Sequence, residues 1–150
     1  MTYSTIYIHI VFGIKRNFSV PIDPDWEVDL HKYISKIISN KGQKLIVING
    51  MPDHIHILIN INPDLSISAL VREIKKHSNK WVNEKFVTKG IFKWQEGFGA
   101  FSHCKSSIKN AIKYIENQKQ HHGKVSFEQE YNSFLKVHEV CSKEPIKIKP

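Results

Sequence analysis

Met51-Pro52-Asp53-His54-Ile55-His56-Ile57-Leu58-Ile59 is a tight turn running into a stretch where histidine and isoleucine alternate. Side chains on a β-strand alternate between its two faces. The pattern therefore predicts a strand with His54 and His56 on one face and Ile55, Ile57 and Ile59 on the other. At about 3.3 Å rise per residue the two imidazoles start roughly 7 Å apart and can converge on one small ion. The isoleucine row must face a core, which turns the histidines, with Leu58 and Asn60, to the opposite side.

Working outward, Lys44 to Asn49 is a second apolar strand, and Gly50 to Asp53 makes the two a hairpin ending near Ile61. Upstream, Tyr3 to Ile14 alternates as well, with Ile6, Ile8 and Ile10 on one face and Tyr7, His9 and Val11 on the other. His9 reads as a hydrogen-bonded residue of a half-buried strand, with contact to the histidine pair as the alternative. Between these strands, Trp26, Leu30, Tyr33, Ile34, Ile37 and Ile38 recur at helical spacing from Trp26 to Asn40. Acidic residues and Pro24 open that helix, and Lys41-Gly42 closes it.

A second helix is predicted from Ser66 to Phe86 on Ile67, Leu70, Val71, Ile74, Trp81 and Val82. Gly90 to Ser102, rich in aromatics and glycine, reads as one or two short strands around a turn. A helix follows from about Lys105 to His122, then a shorter one from about Ser126 to Val137 and a polar tail over about 140–150. This order predicts a single α+β domain over 1–150. Its architecture would be ferredoxin-like or RRM-like, an antiparallel sheet with helices packed on one face.

Composition sets the partners. The chain has 150 residues, a formal net charge of +8, and only two cysteines, Cys104 and Cys141, in no metal-binding or disulfide pattern. The positive balance favours a polyanion, of which nucleic acid is the commonest. No run approaches the roughly 18 apolar residues of a membrane span, and the first residues do not resemble a signal peptide, so a reducing cytoplasm is expected.

In the helix after the Gly-Phe-Gly segment, Ile108, Ala111, Ile112 and Ile115 form the buried stripe. Tyr114 and Gln118 stand one turn apart at its margin, with His121 continuing the line. His121 and His122 are a further histidine pair, but adjacent helical residues point about 100° apart and do not converge easily.

Three motifs, taken together, resemble one family. They are Met-Pro-Asp-His-Ile-His at 51–56, Trp-Gln-Glu-Gly-Phe-Gly-Ala-Phe-Ser at 94–102, and Tyr-Ile-Glu-Asn-Gln-Lys-Gln-His-His at 114–122. They resemble the single-tyrosine HUH transposases of insertion sequences, the TnpA-like family, with REP-associated tyrosine transposases as close relatives. The likeness runs from the first strand through Tyr131. It implies a C-terminal helix carrying the nucleophile Tyr114, and a divalent ion, Mg²⁺ or Mn²⁺, held by His54, His56 and Gln118. It implies transposition by cutting and rejoining single-stranded DNA through a 5′-phosphotyrosyl intermediate. The implied partners are DNA hairpins at element ends and a second copy of the chain, with Tyr114 serving either its own or the partner's metal site. The setting would be a bacterial or archaeal cytoplasm. Lys15, Arg16, Lys75, Lys76 and Lys105 are the candidate phosphate contacts, chosen for charge alone.

Other readings stay open at this point. Glu96-Gly97-Phe98-Gly99-Ala100-Phe101 partly matches the base-stacking strand of RRM domains, which would make the chain a single-stranded nucleic-acid-binding module. A metal-dependent hydrolase using water would leave Tyr114 without a task. A domesticated REP-associated nuclease would keep the chemistry and lose the mobility.

Overall fold

Two strands carry the clearest alternation in the sequence, and they lie side by side at the centre of one sheet. β1 (Tyr7–Gly13) and β3 (His54–Asn60) pair antiparallel, with Ile8 opposite Ile59, Ile10 opposite Ile57 and Phe12 opposite Ile55. β2 (Lys44–Met51) flanks β3, and β4 (Gly99–His103) flanks β1, giving the order β2-β3-β1-β4 with every pairing antiparallel. α1 (Pro24–Asn40) links β1 to β2, and α2 (Ile67–Lys85) lies between β3 and β4. This is the βαββαβ ferredoxin-like connectivity that the sequence predicts. The computed structural model describes residues 3–121 and 125–143, with side chains described through residue 120 and from 125 to 136. Among the described residues no helix is long and apolar enough to cross a membrane.

The core is the isoleucine face. Ile8, Ile10, Phe12, Ile55, Ile57 and Ile59 are closed over by Trp26, Leu30, Ile34 and Ile38 of α1 and by Leu70, Val71, Ile74 and Val82 of α2. Burying each such aliphatic side chain contributes about 1.5–3 kcal/mol. α1 starts where Asp23 accepts from the Asp25 N–H ahead of Pro24. It stops where the Gly42 and Gln43 N–H groups turn back to the carbonyls of Ser39 and Ile38. That stop needs φ +72° at Gly42, a conformation open to glycine at little cost.

β2 departs from simple alternation. Leu45 stands opposite Ile59 and Val47 opposite Leu58, so residue 46 is an extra one and the strand bulges there. A bulge inverts the facing of everything beyond it. Val47, Asn49 and Met51 are thereby brought opposite Leu58, His56 and His54, on the histidine face.

That second face is covered too. α3 (Ile108–Glu116) lays Ala111 and Ile115 over Leu58, Ile46 and Val47. α5 (Phe127–Lys143) places Phe127 and Phe134 against the histidines. The helices expected on one side of the sheet are therefore α1 and α2, and the helix that carries Tyr114 packs on the other.

Several boundaries differ from the sequence reading. β1 begins at Tyr7 rather than Tyr3. The aromatic segment at 90–102 forms one strand and an isolated bridge between Ile14 and Trp94. The helix expected over 105–122 is a 3-10 turn (Lys105–Ser107), then α3, then α4 (Gln118–His121), broken at Asn117. The last helix runs on to Lys143, and residues 144–150 of the expected tail lie outside the described residues.

Candidate active site

β3 turns His54 and His56 to the face opposite the isoleucines, and both are fully buried there. His54 Nδ1 lies 2.7 Å from the Asp53 carboxylate. A carboxylate only accepts, so the bond places a proton on Nδ1; in the neutral ring this leaves the Nε2 lone pair facing the site. Gln118 Oε1 lies 3.2 Å from that Nε2. The amide is set this way round because its Nε2 points at the Tyr114 carbonyl, 3.5 Å away.

His56 is held from both ends. Its Nδ1 is 2.7 Å from His9 Nε2, and its Nε2 is 2.6 Å from Glu130 Oε1. His9 is thus hydrogen-bonded within the strands, as its position predicts, and its partner is a histidine of the pair. Burial first, then the neighbouring His56 and His103, push the His9 pKa down to about 2. His9 is therefore neutral throughout the physiological range, an orienting partner that adds no charge.

Tyr114, on α3, stands edge-on to His56 with ring centroids 5.9 Å apart. Burial, then the charge of Glu130 and a hydrogen bond to it, hold the phenol pKa well above its ordinary value, while a hydrogen bond from Gln118 pulls the other way. Tyr114, Gln118, His54 and His56 converge within one chain.

Glu130 is the residue that sequence reasoning missed. It is only 3% exposed, and its carboxylate lies with His54 and His56 in a group whose candidate ligand atoms are all within 4.8 Å of one another. A signal was available in α5: Phe127, Glu130, Tyr131 and Phe134 recur at helical spacing, which puts an acid in the middle of an aromatic stripe. Phe127 stacks flat on His54 at 4.2 Å, and Phe134 packs against His9, Phe101 and Tyr114. α5 therefore covers the site, and Phe101 of the RRM-like segment is buried beneath it.

The donors fit a divalent ion. Ligands about 2.1 Å from an octahedral Mg²⁺-like centre stand about 3.0 Å apart when adjacent. The His54–Gln118 pair, at 3.2 Å, meets that spacing. His54, His56 and Glu130 each bring one candidate ligand atom to within 4.8 Å of the others. The Gln118 amide oxygen shifts an otherwise imidazole-rich donor set towards Mg²⁺ or Mn²⁺.

The candidate phosphate contacts lie in different places. Arg16 is exposed, pairs with Glu128 at 3.4 Å, and lines a cleft of about 500 Å³ beside Asp53, Phe127 and Tyr131. Lys15 lies over the Phe18 ring, and Lys105 is exposed at the start of the 3-10 turn before α3. Lys76 is exposed on α2, on the far side of the sheet from the histidines. Lys75 donates to the carbonyls of Gln95 and Gly97, and burial lowers its pKa, so its ammonium anchors a loop. The His121 side chain and all of His122 lie outside the described residues.

Residues 2–118 match the family described as "Transposase IS200 like". The chain belongs to that family. Its fold is shared with solved transposase structures. One, described as a putative transposase from Deinococcus radiodurans R1, is 21% identical, with a TM-score of 0.61 over 78% of this chain and 93% of that one. Another, a REP-associated tyrosine transposase bound to a REP hairpin, is 19% identical, with a TM-score of 0.59 over 83% of this chain and 73% of that one. No curated protein sequence matches the chain. The family match contains His54, His56 and Tyr114 and ends on Gln118, so α5 and Glu130 lie beyond it.

Proposed function

We propose that this transposase cuts and rejoins single-stranded DNA at insertion-sequence ends, with Tyr114 as nucleophile and Mg²⁺ or Mn²⁺ held by His54, His56 and Gln118. The observation that carries the reading is the convergence of Tyr114 and Gln118, from one broken helix, on the two histidines of β3. When bound, the ion would supply Lewis-acid polarisation of the scissile phosphate.

The chain's own residues account for the rest. The Tyr114 oxygen forms a bond to phosphorus as the bond to the departing 3′-oxygen breaks. The phenol loses its proton, and the leaving oxygen gains one to become a 3′-hydroxyl. The phosphotyrosyl link keeps the free energy of the broken phosphodiester, so a 3′-hydroxyl from another strand can reverse the step without a nucleotide cofactor. Asp53 and His9 orient His54 and His56 from behind. Because His54, His56 and Gln118 are fully buried beneath α5, a DNA phosphate reaches them only when α5 lifts. Lifting would also take the Glu130 charge away from Tyr114 and ease its deprotonation.

DNA hairpins at element ends are the proposed partner, with Arg16, Lys15 and Lys105 as the proposed phosphate contacts. Since the site assembles within one chain, catalysis in cis is the reading favoured, whether or not the protein dimerises. The test is incubation with labelled single-stranded DNA from the protein's own locus and Mn²⁺, followed by a denaturing gel. A protein–DNA adduct that is absent in Tyr114→Phe is expected. An adduct that persists in that variant would overturn the assignment, and cleavage with no adduct would indicate water as the nucleophile.

A further inference from the structure

Gln118 is neither on a strand nor in the middle of a helix; it is the first residue after a break. A side chain at such a point is free to swing unless the backbone on both sides is held. The structure holds both sides.

On the near side, Asn49 Nδ2 donates to the carbonyls of Ile115 and Glu116, at 2.9 and 3.1 Å. These carbonyls belong to the last turn of α3, where intrahelical partners run out. Asn49 stands opposite His56 in the β2–β3 register, so the bond ties the end of α3 to the strand position beside the histidine. The bulge at residue 46 puts Asn49 on this face; without it, residue 49 would pair with Ile55 and point into the core. On the far side, Lys119 Nζ binds Glu27 of α1 at 2.7 Å and also donates to the Gly50 carbonyl. A Cβ on Gly50 would run into the His54 carbonyl oxygen, so this hairpin position is closely fitted to the strand that carries the pair.

We infer that Asn49 and the Lys119–Glu27 pair are positioning residues that clamp the Asn117 break and so set Gln118 Oε1 against His54 Nε2. The inference rests on the metal-site reading above. It makes the third donor's placement a property of β2 and α1 rather than of the helix that carries it.

The test is Mn²⁺ binding to the full chain, measured by calorimetry and independent of catalysis. Asn49→Leu keeps the shape and removes the donor. It is expected to weaken Mn²⁺ binding about tenfold, in the range seen when a residue that orients a metal ligand is lost. In a Gln118→Ala background the same substitution should change nothing further, since its effect passes through Gln118. Lys119→Met, at a half-exposed side chain, should follow Asn49→Leu, and Lys119→Arg should retain affinity. Affinity within twofold of wild type in both Asn49→Leu and Lys119→Met, with Gln118→Ala weakened, would overturn the clamp. An undiminished Asn49→Leu effect in the Gln118→Ala background would do the same. If His54→Ala and His56→Ala also leave Mn²⁺ affinity unchanged, the metal site itself falls and takes the clamp with it.

Discussion

Phe127→Ala is the perturbation that bears most directly on how DNA reaches the site. Phe127 is half-buried and stacked flat on His54, at the N-terminal end of α5. Removing a partly buried aromatic side chain that stacks on His54 should cost α5 docking about 2–3 kcal/mol. At 1.4 kcal/mol per decade, this raises the population with α5 lifted by roughly 30- to 150-fold. If DNA binds only the lifted form, its apparent affinity rises by the same factor until the lifted form predominates. The assay pairs single-stranded DNA titration with hydrogen exchange over residues 128–136. Faster exchange together with tighter binding is predicted. Faster exchange with unchanged or weaker binding would refute α5 as the barrier to DNA.

Three further predictions follow from particular side chains. His9 is held neutral with a pKa near 2 against an ordinary 6.5, so unfolding takes up a proton there below pH 6.5. In the presence of EDTA its contribution to stability should be complete above pH 6.5 and decline toward pH 2, with a limiting slope of about 1.4 kcal/mol per pH unit. Comparing melting temperature against pH for wild type and His9→Leu checks this, and parallel curves would contradict it. Arg16→Ala should reduce the salt dependence of DNA binding by about one unit of slope, whereas Lys75→Ala should lower stability and leave the slope unchanged. A reduced slope in Lys75→Ala would show that its ammonium reaches DNA after all. Mixing Tyr114→Phe with His56→Ala should not restore an adduct, because the site assembles within one chain; restoration would place Tyr114 in a partner's site.

Much of this could be read from residue order because alternation is a local property. His54-Ile55-His56-Ile57 declares its two faces in the sequence, and Ser66 and Gly42 mark helix ends by their own chemistry. What stayed hidden depends on distant partners. Leu45-Ile46-Val47-Ile48 suits either face of a sheet, so nothing local announces the bulge that brings Asn49 beside His56. The helical pattern runs unbroken through Asn117; the break sits where Asn49 takes up the α3 carbonyls and Lys119 is held by α1. The aromatic stripe of α5 marks Glu130 as unusual, but only the packing of α5 over the histidines gives it a partner. Lys75 and Arg16 are indistinguishable as charges, and only packing separates a loop anchor from an exposed cation.

The account stands or falls on where DNA becomes attached. After reaction with single-stranded DNA from its own locus and Mn²⁺, nuclease and protease digestion followed by mass spectrometry should find a nucleotide on the peptide containing Tyr114. The His56→Ala protein should show none. A nucleotide on Tyr131 or another residue, or an undiminished yield in His56→Ala, would contradict the site described.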